Sequence, residues 1–304
     1  MALGVVMREM GAGTHTNEAS SSPSPARELS AGMRHLLLIA GVLVFLAGVQ
    51  LFVFTERTEE FFSWTIDPSA TAAFLGAGYW AAVAVEWLAA GEKTWDRARV
   101  AVPAVFVFTT LTLVATLLHL EIFHFDSPGL GTRAVTWIWL AIYVLVPVVM
   151  GALWWRQSRS VSEDPSRTAP LATWVRAVLG LYGVGLLVLG ILMFLLPVET
   201  ATALWPWTLE PLSSRAVAAW LISMGVLAVH ALIENDWVRL RPAAGGLVLL
   251  GSFQLFAIMR YRFEFEWGEG RSWVYLAALV GLLVLGLYSW LKVDAARRSA
   301  STGA

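Results

Sequence analysis

The sequence predicts an all-α fold: an integral membrane bundle of eight transmembrane helices built from two parallel four-helix repeats. Hydrophobic residues make up 58% of the 304 residues and charged residues only 14%, against roughly 45–50% and about 25% in soluble domains. The apolar residues fall into long runs, and about 20 such residues cross a bilayer with every backbone hydrogen bond satisfied inside the helix. A seven-residue string, Phe62-Ser63-Trp64-Thr65-Ile66-Asp67-Pro68, returns 143 positions later as Trp205-Pro206-Trp207-Thr208-Leu209-Glu210-Pro211. Each copy precedes an equivalent apolar run.

In chain order, residues 1–33 hold Ser20-Ser21-Ser22-Pro23-Ser24-Pro25 and no apolar period, and are expected to be a disordered cytoplasmic tail. Spans are expected at 35–54, 69–90, 100–120, 134–155, 174–196, 213–233, 243–260 and 273–291. Residues 34–155 and 174–292 then form the two repeats, 156–173 a cytoplasmic linker and 293–304 a second cytoplasmic tail. The first run, Leu36 to Phe54, exceeds the usual 7–15-residue core of a signal peptide and no small-residue cleavage site follows it, so it is read as a retained helix.

Loop charge sets the orientation, because cytoplasmic loops retain Lys and Arg. With both termini inside, most of the 21 basic residues, among them Arg8, Arg27, Arg34, Lys93, Arg97, Arg99 and Arg156, are cytoplasmic. Four spans per repeat is an even number, so both copies insert the same way up, about an axis along the membrane normal. Trp64, Trp205, Trp207, Trp267 and Trp273 then fall near outer span ends, and Trp87, Trp95, Trp154, Trp155, Trp174, Trp237 and Trp290 near inner ones. They are read as interfacial anchors.

The duplication continues beyond its first match. Glu56 pairs with Glu199 at an offset of 143, Phe123-His124-Phe125-Asp126 with Phe263-Glu264-Phe265-Glu266 at 140, and Trp137-Ile138-Trp139 with Trp273-Val274-Tyr275 at 136. In the repeat motif, Trp64, Asp67 and Pro68 match Trp207, Glu210 and Pro211. Proline at a helix start loses no needed N–H, the acid favours the positive helix end, and Ser69 or Ser213 can satisfy first-turn amides. The motif is thus a device for starting a helix, or else part of a site between the copies.

Phe61-Phe62-Ser63-Trp64-Thr65-Ile66-Asp67-Pro68, followed by Thr71-Ala72-Ala73-Phe74-Leu75-Gly76-Ala77-Gly78-Tyr79, resembles a string in a family of multi-pass membrane proteins of high-GC bacteria. The resemblance implies a bacterial inner-membrane location and brings no catalytic residue with it.

Several chemistries are excluded. Net charge is −1, so no basic excess points to nucleic acid. Cysteine is absent, which removes disulfides, thiolate metal sites and thiol nucleophiles. The intramembrane ionisable residues are Glu86, His119 and His230. Glu86 is expected to be structural, ionised beside Lys93, Arg97 or a neighbouring inner-loop arginine, because it lies near the inner end of its span and its counterpart is Val229; the alternative is a proton relay or an ion ligand. His119 and His230 fall near opposite span ends and cannot clamp one haem, and no cofactor is expected.

In the outer loops, Glu121, His124 and Asp126 face Glu264 and Glu266 as candidate metal ligands. The alternative is an acidic surface balanced by Arg260, Arg262 and Arg271. Arg215, a cation in the first turn of a helix, is expected to pair with Glu210, Glu199 or Asp67. Inside the bundle, Thr112, Thr116, Ser252 and Gln254 are a candidate polar cavity or, equally, interhelical glue of about 0.6 kcal/mol per pair. Gly76, Gly78, Gly180, Gly183, Gly185 and Gly190 suggest close helix approach.

The functional expectation is a transporter- or permease-like protein for a small neutral or amphipathic solute, with its site between the repeats and lined by spans two, three, six and seven. The alternative is a non-catalytic scaffold or accessory subunit with a membrane-protein partner or a second copy of itself. A membrane enzyme using the outer acids ranks last. The lipid bilayer is the immediate partner in every case.

Overall fold

A computed structural model of the protein describes residues 26–159 and 164–302. Most of the expected disordered tail, with Arg8 and His15, lies outside the described residues. Eight long helices follow: α1 (Ala31–Gly48, continued by a π-helical turn Val49–Val53), α2 (Ser69–Ala90), α3 (Val102–Leu117), α4 (Leu130–Arg159), α5 (Thr173–Leu195), α6 (Pro211–Glu234), α7 (Arg241–Arg260) and α8 (Gly270–Thr302). No strand occurs among the described residues. Seven of these helices are long and apolar enough to cross a membrane. The exception is α3, whose 16 residues reach about 24 Å.

Three stretches outside the expected spans carry structure of their own. Residues 26–33 are docked: Ser30 caps α1 by accepting the Met33 N–H, Leu29 is buried, and the Leu29 N–H donates to the Lys93 carbonyl. The expected linker loses its first residues to α4, whose helix runs on to Arg159. The expected 293–304 tail is helical through Thr302, where Arg297 is held at 2.7 Å by Glu92.

Packing sorts the helices into an inner and an outer set. About two-thirds of the apolar window of α2 is buried (67%) and over half of those of α6 and α7 (56% each), whereas α1, α4, α5 and α8 keep two-thirds or more of theirs outward (22–33% buried). Outward apolar side chains such as Leu181, Val184 and Val188 on α5 belong against lipid tails, which are as apolar as they are. Within residues 26–159, α1 lies on α2 and α3 on α4; within 164–302, α5 lies on α6 and α7 on α8. The two halves are joined by α2 against α7 and α3 against α6.

Helices α2 and α6 run in the same direction, since Tyr79 meets Trp220 at 5.2 Å while Thr71 meets Trp207 one end further along. That end is called the Trp64 end below, and the opposite one the Arg99 end. Glycine permits the closest approaches: a Cβ on Gly76 would sit 2.7 Å from the Phe52 backbone nitrogen, and one on Gly190 3.0 Å from that of Ile222. Gly185 faces open space and makes no such approach.

Candidate functional site

Between the halves lies a cavity of about 90 Å³. Its wall comes from α2, α3, α6 and α7, as the sequence led us to expect, and also from α1 and α4. Ala81 and Val85 of α2, Phe108 of α3, Tyr143 of α4, Trp220 of α6 and Leu250 of α7 all contribute. The lining is almost wholly apolar, with one carboxyl-bearing exception.

That exception is Glu86. It is 2% exposed and one carboxylate oxygen has no hydrogen-bond partner. The expected pairing with Lys93 or Arg97 is not made: Glu86 forms no ion pair among the described residues. The reason is rotational. Glu86 falls on the face of α2 turned to the cavity, while Trp87, one position on, is 44% exposed on the outer face. Its neighbours Tyr79 and Tyr143 satisfy each other at 2.7 Å. The other polar wall residues are occupied by backbone: Ser223 Oγ donates to the Ala104 carbonyl at 2.8 Å and Thr109 Oγ1 to that of Val105 at 2.9 Å.

The four residues expected to form a polar cavity do not line this one. Gln254 donates to the Phe74 carbonyl at 2.9 Å and accepts from the Tyr275 hydroxyl at 3.3 Å. Thr116 accepts from Trp139 Nε1 at 3.1 Å and donates to the Thr112 carbonyl at 2.8 Å. Thr112 is buried with its hydroxyl unpartnered, and Ser252 is exposed on the outer face of α7. Gln254 and Thr116 thus hold helices together, and the sequence could not separate the two roles because both need polar groups in apolar helices.

At the Trp64 end the motif tryptophans are core residues, which corrects their reading as lipid anchors. Trp64, Trp205 and Trp207 are 2–3% exposed. Trp64 packs against Phe62, Phe123 and Trp139 at 4.7, 5.3 and 5.2 Å, and Trp207 against Trp205, Phe265 and Tyr275 at 5.1, 4.8 and 5.6 Å. This equates Phe123 with Phe265, an offset of 142; Phe263, its partner at the expected 140, is 85% exposed. Trp207 Nε1 also donates to Thr71 Oγ1 at 2.8 Å, a bond between the halves. Pro68 and Pro211 do stand at helix starts, but Ser69 and Ser213 cap neither. Asp67 and Glu210 are exposed.

The candidate metal ligands are dispersed to other tasks. The Ala70 N–H of α2 donates to Glu264 at 2.6 Å. Burial pushes the Glu264 carboxyl up against that bond, and the nearby charges of Asp67 and Glu56 add to the rise. His124 donates from Nδ1 to the Phe62 carbonyl and accepts from the Thr65 hydroxyl at Nε2 (3.1 and 3.2 Å). Glu266 pairs with Arg271, and Glu121 stands 3.7 Å from His119. Asp126 joins none of these contacts, and no three acids or histidines among the described residues converge to hold an ion.

Arg215 finds no carboxylate among the described residues. It donates to His119 Nε2 at 2.7 Å and to the Phe194 carbonyl at 3.2 Å. Burial and then the Arg215 charge hold the His119 imidazole below its usual value.

The Arg99 end carries what the sequence reading missed. Glu234, 1% exposed, receives Arg99 at 2.5 Å, Arg239 at 2.9 Å and His230 at 3.3 Å. Asp164 joins Arg99 at 2.5 Å and Arg239 at 3.3 Å, and Asp96 approaches Arg239 at 3.6 Å. Burial pulls Arg99 down, but its bonds to Glu234 and Asp164 more than reverse that and leave it above its usual value. The signal was present: Glu92-x-x-Trp95-x-Arg97-x-Arg99 returns as Glu234-x-x-Trp237-x-Arg239-x-Arg241, 142 positions on.

Comparison with protein families, curated proteins and solved structures finds no match.

Proposed function

We propose that the protein is a permease-like carrier of a small neutral or amphipathic solute held in the cavity between its two halves. One observation carries this reading: the cavity is walled by residues of both halves, so any shift of one half against the other changes it. Apolar pockets between the helices of a bundle, with few polar groups, are where membrane proteins hold ligands.

The same proposal includes eight crossings and a parallel duplication. For α3 as a crossing, the support is that Arg99 before it bonds Glu234 at one end of α6, while His119 after it bonds Arg215 at the other. For the duplication, the support is the shared order of helix contacts in the halves and the matched aromatic clusters around Trp64 and Trp207. Arginine-rich linkers favour the Arg99 end as cytoplasmic, with both termini on that side, and the motif resemblance favours a bacterial inner membrane.

The test is solute entry into proteoliposomes, followed by stopped-flow light scattering with urea, glycerol and 1,3-butanediol. The parent should speed equilibration of at least one solute over protein-free vesicles. Ala82→Phe, at a half-buried wall position, should return the rate to that of the blank. Equal rates for parent and blank with all three would overturn the carrier reading for neutral solutes and leave the scaffold reading or a charged solute.

A further inference from the structure

We propose that the solute is a small organic ammonium ion, which Glu86 binds as a carboxylate after giving up a proton. The inference rests on the cavity being the solute site, and adds the chemical class of the occupant. Glu86 is the one ionisable side chain among the wall residues besides Tyr143, whose hydroxyl is engaged with Tyr79. The wall residues of α1, α3, α6 and α7 are Ala, Val, Leu, Phe, Thr, Trp, Ser, Met and Gly, and offer no charge. A carboxyl kept without a partner inside apolar helices is costly and marks a functional position.

An isolated carboxylate does not persist in such surroundings. The empty cavity therefore holds Glu86 as the acid, and an arriving cation supplies the missing partner. The exchange is balanced: the carboxylic acid and the ammonium ion become a carboxylate–ammonium pair and one proton released to water, with no bond to carbon made or broken. The remaining wall suits a cation with a hydrocarbon skin. Phe108 and Trp220 stand 4.0 Å apart in the same wall as Glu86, so aromatic rings and the carboxyl share one cavity. Aromatic faces attract alkylammonium ions. The 90 Å³ volume is smaller than the ~150 Å³ cavities that take up benzene. That limits the ion to roughly four to six heavy atoms.

Tetramethylammonium and its neutral isostere tert-butanol are the probes, with binding to the purified full chain in detergent followed by calorimetry in weak buffer. The parent should bind tetramethylammonium saturably with release of about one proton per ion, and more tightly as pH rises. Glu86→Gln, which keeps shape and relieves an unpaired acid, should weaken that binding at least tenfold and leave tert-butanol binding within twofold. Glu86→Asp should keep proton release. Binding of tert-butanol but not tetramethylammonium, or tetramethylammonium binding unchanged in Glu86→Gln, would overturn the ammonium assignment while sparing the cavity. Binding of neither probe by the parent would overturn both.

Discussion

Arg99 and Glu234 meet at 2.5 Å across the boundary between the two halves, and their counterparts Arg241 and Glu92 approach to 3.9 Å across the same boundary. Each acid stands at the end of the second helix of its half, and each arginine at the start of the third helix of the other. The contact is reciprocal, but its two copies differ in depth. Arg99 beside Glu234 is 18% exposed and is joined there by the buried Arg239 (2%), whereas Arg241 beside Glu92 is 35% exposed.

From this asymmetry, Glu234→Gln should destabilise by about 3 kcal/mol, because removing one member of a buried pair strands the other's charge. Glu92→Gln should cost less, since Arg241 and Arg297 reach water. Reversible unfolding in mixed micelles measures both. Equal costs would show that burial does not set the strength of the two copies.

The bond from Trp207 to Thr71 is buried. Thr71→Val should leave the indole N–H without an acceptor at a cost of about 1–3 kcal/mol, while Thr71→Ser should stay close to the parent. A Thr71→Val protein as stable as the parent would remove this bond from the forces joining the halves.

Gly76→Ala should destabilise by about 1–3 kcal/mol, because the new methyl meets the Phe52 backbone, which no side-chain rotation relieves. Gly185→Ala, in open space, should be neutral or more stable by up to about 1 kcal/mol through helix propensity. Melting temperatures of the pair test the contrast.

His119 should titrate below its ordinary value of 6.5. A depressed pKa means that its contribution to stability is present above 6.5 and is lost as the pH falls through the lower folded-state value. Acidification should therefore break the Arg215–His119 contact, seen as imidazole shifts in nitrogen NMR. Arg215→Gln should move the midpoint upward; an unmoved midpoint would remove Arg215 as a cause.

The helical class was legible because its evidence is local. Apolar runs separated by polar, arginine-bearing linkers specify helices wherever they fall, and the proline after each Trp-Thr motif marks a helix start. The Trp64 and Trp207 match was legible for the same reason, although loop drift hid that Phe123 answers to Phe265. The Glu-x-x-Trp-x-Arg-x-Arg repeat could also have been found by the same inspection. What it does could not, because each glutamate is met by an arginine of the other half.

Other properties were settled only by tertiary structure, since they depend on how helices are rotated against one another. Trp64 and Trp207 have the composition of lipid anchors and are buried. Arg215 has acids nearby in sequence and rests on His119. Glu86 has Lys93 and Arg97 seven and eleven positions on, yet α2 turns its carboxyl away from both and into the cavity. Sequence alone determined that this chain is a bundle of apolar helices with few charges; the rotation of α2 among its neighbours decided that one carboxyl group stands unpaired in the cavity between the halves.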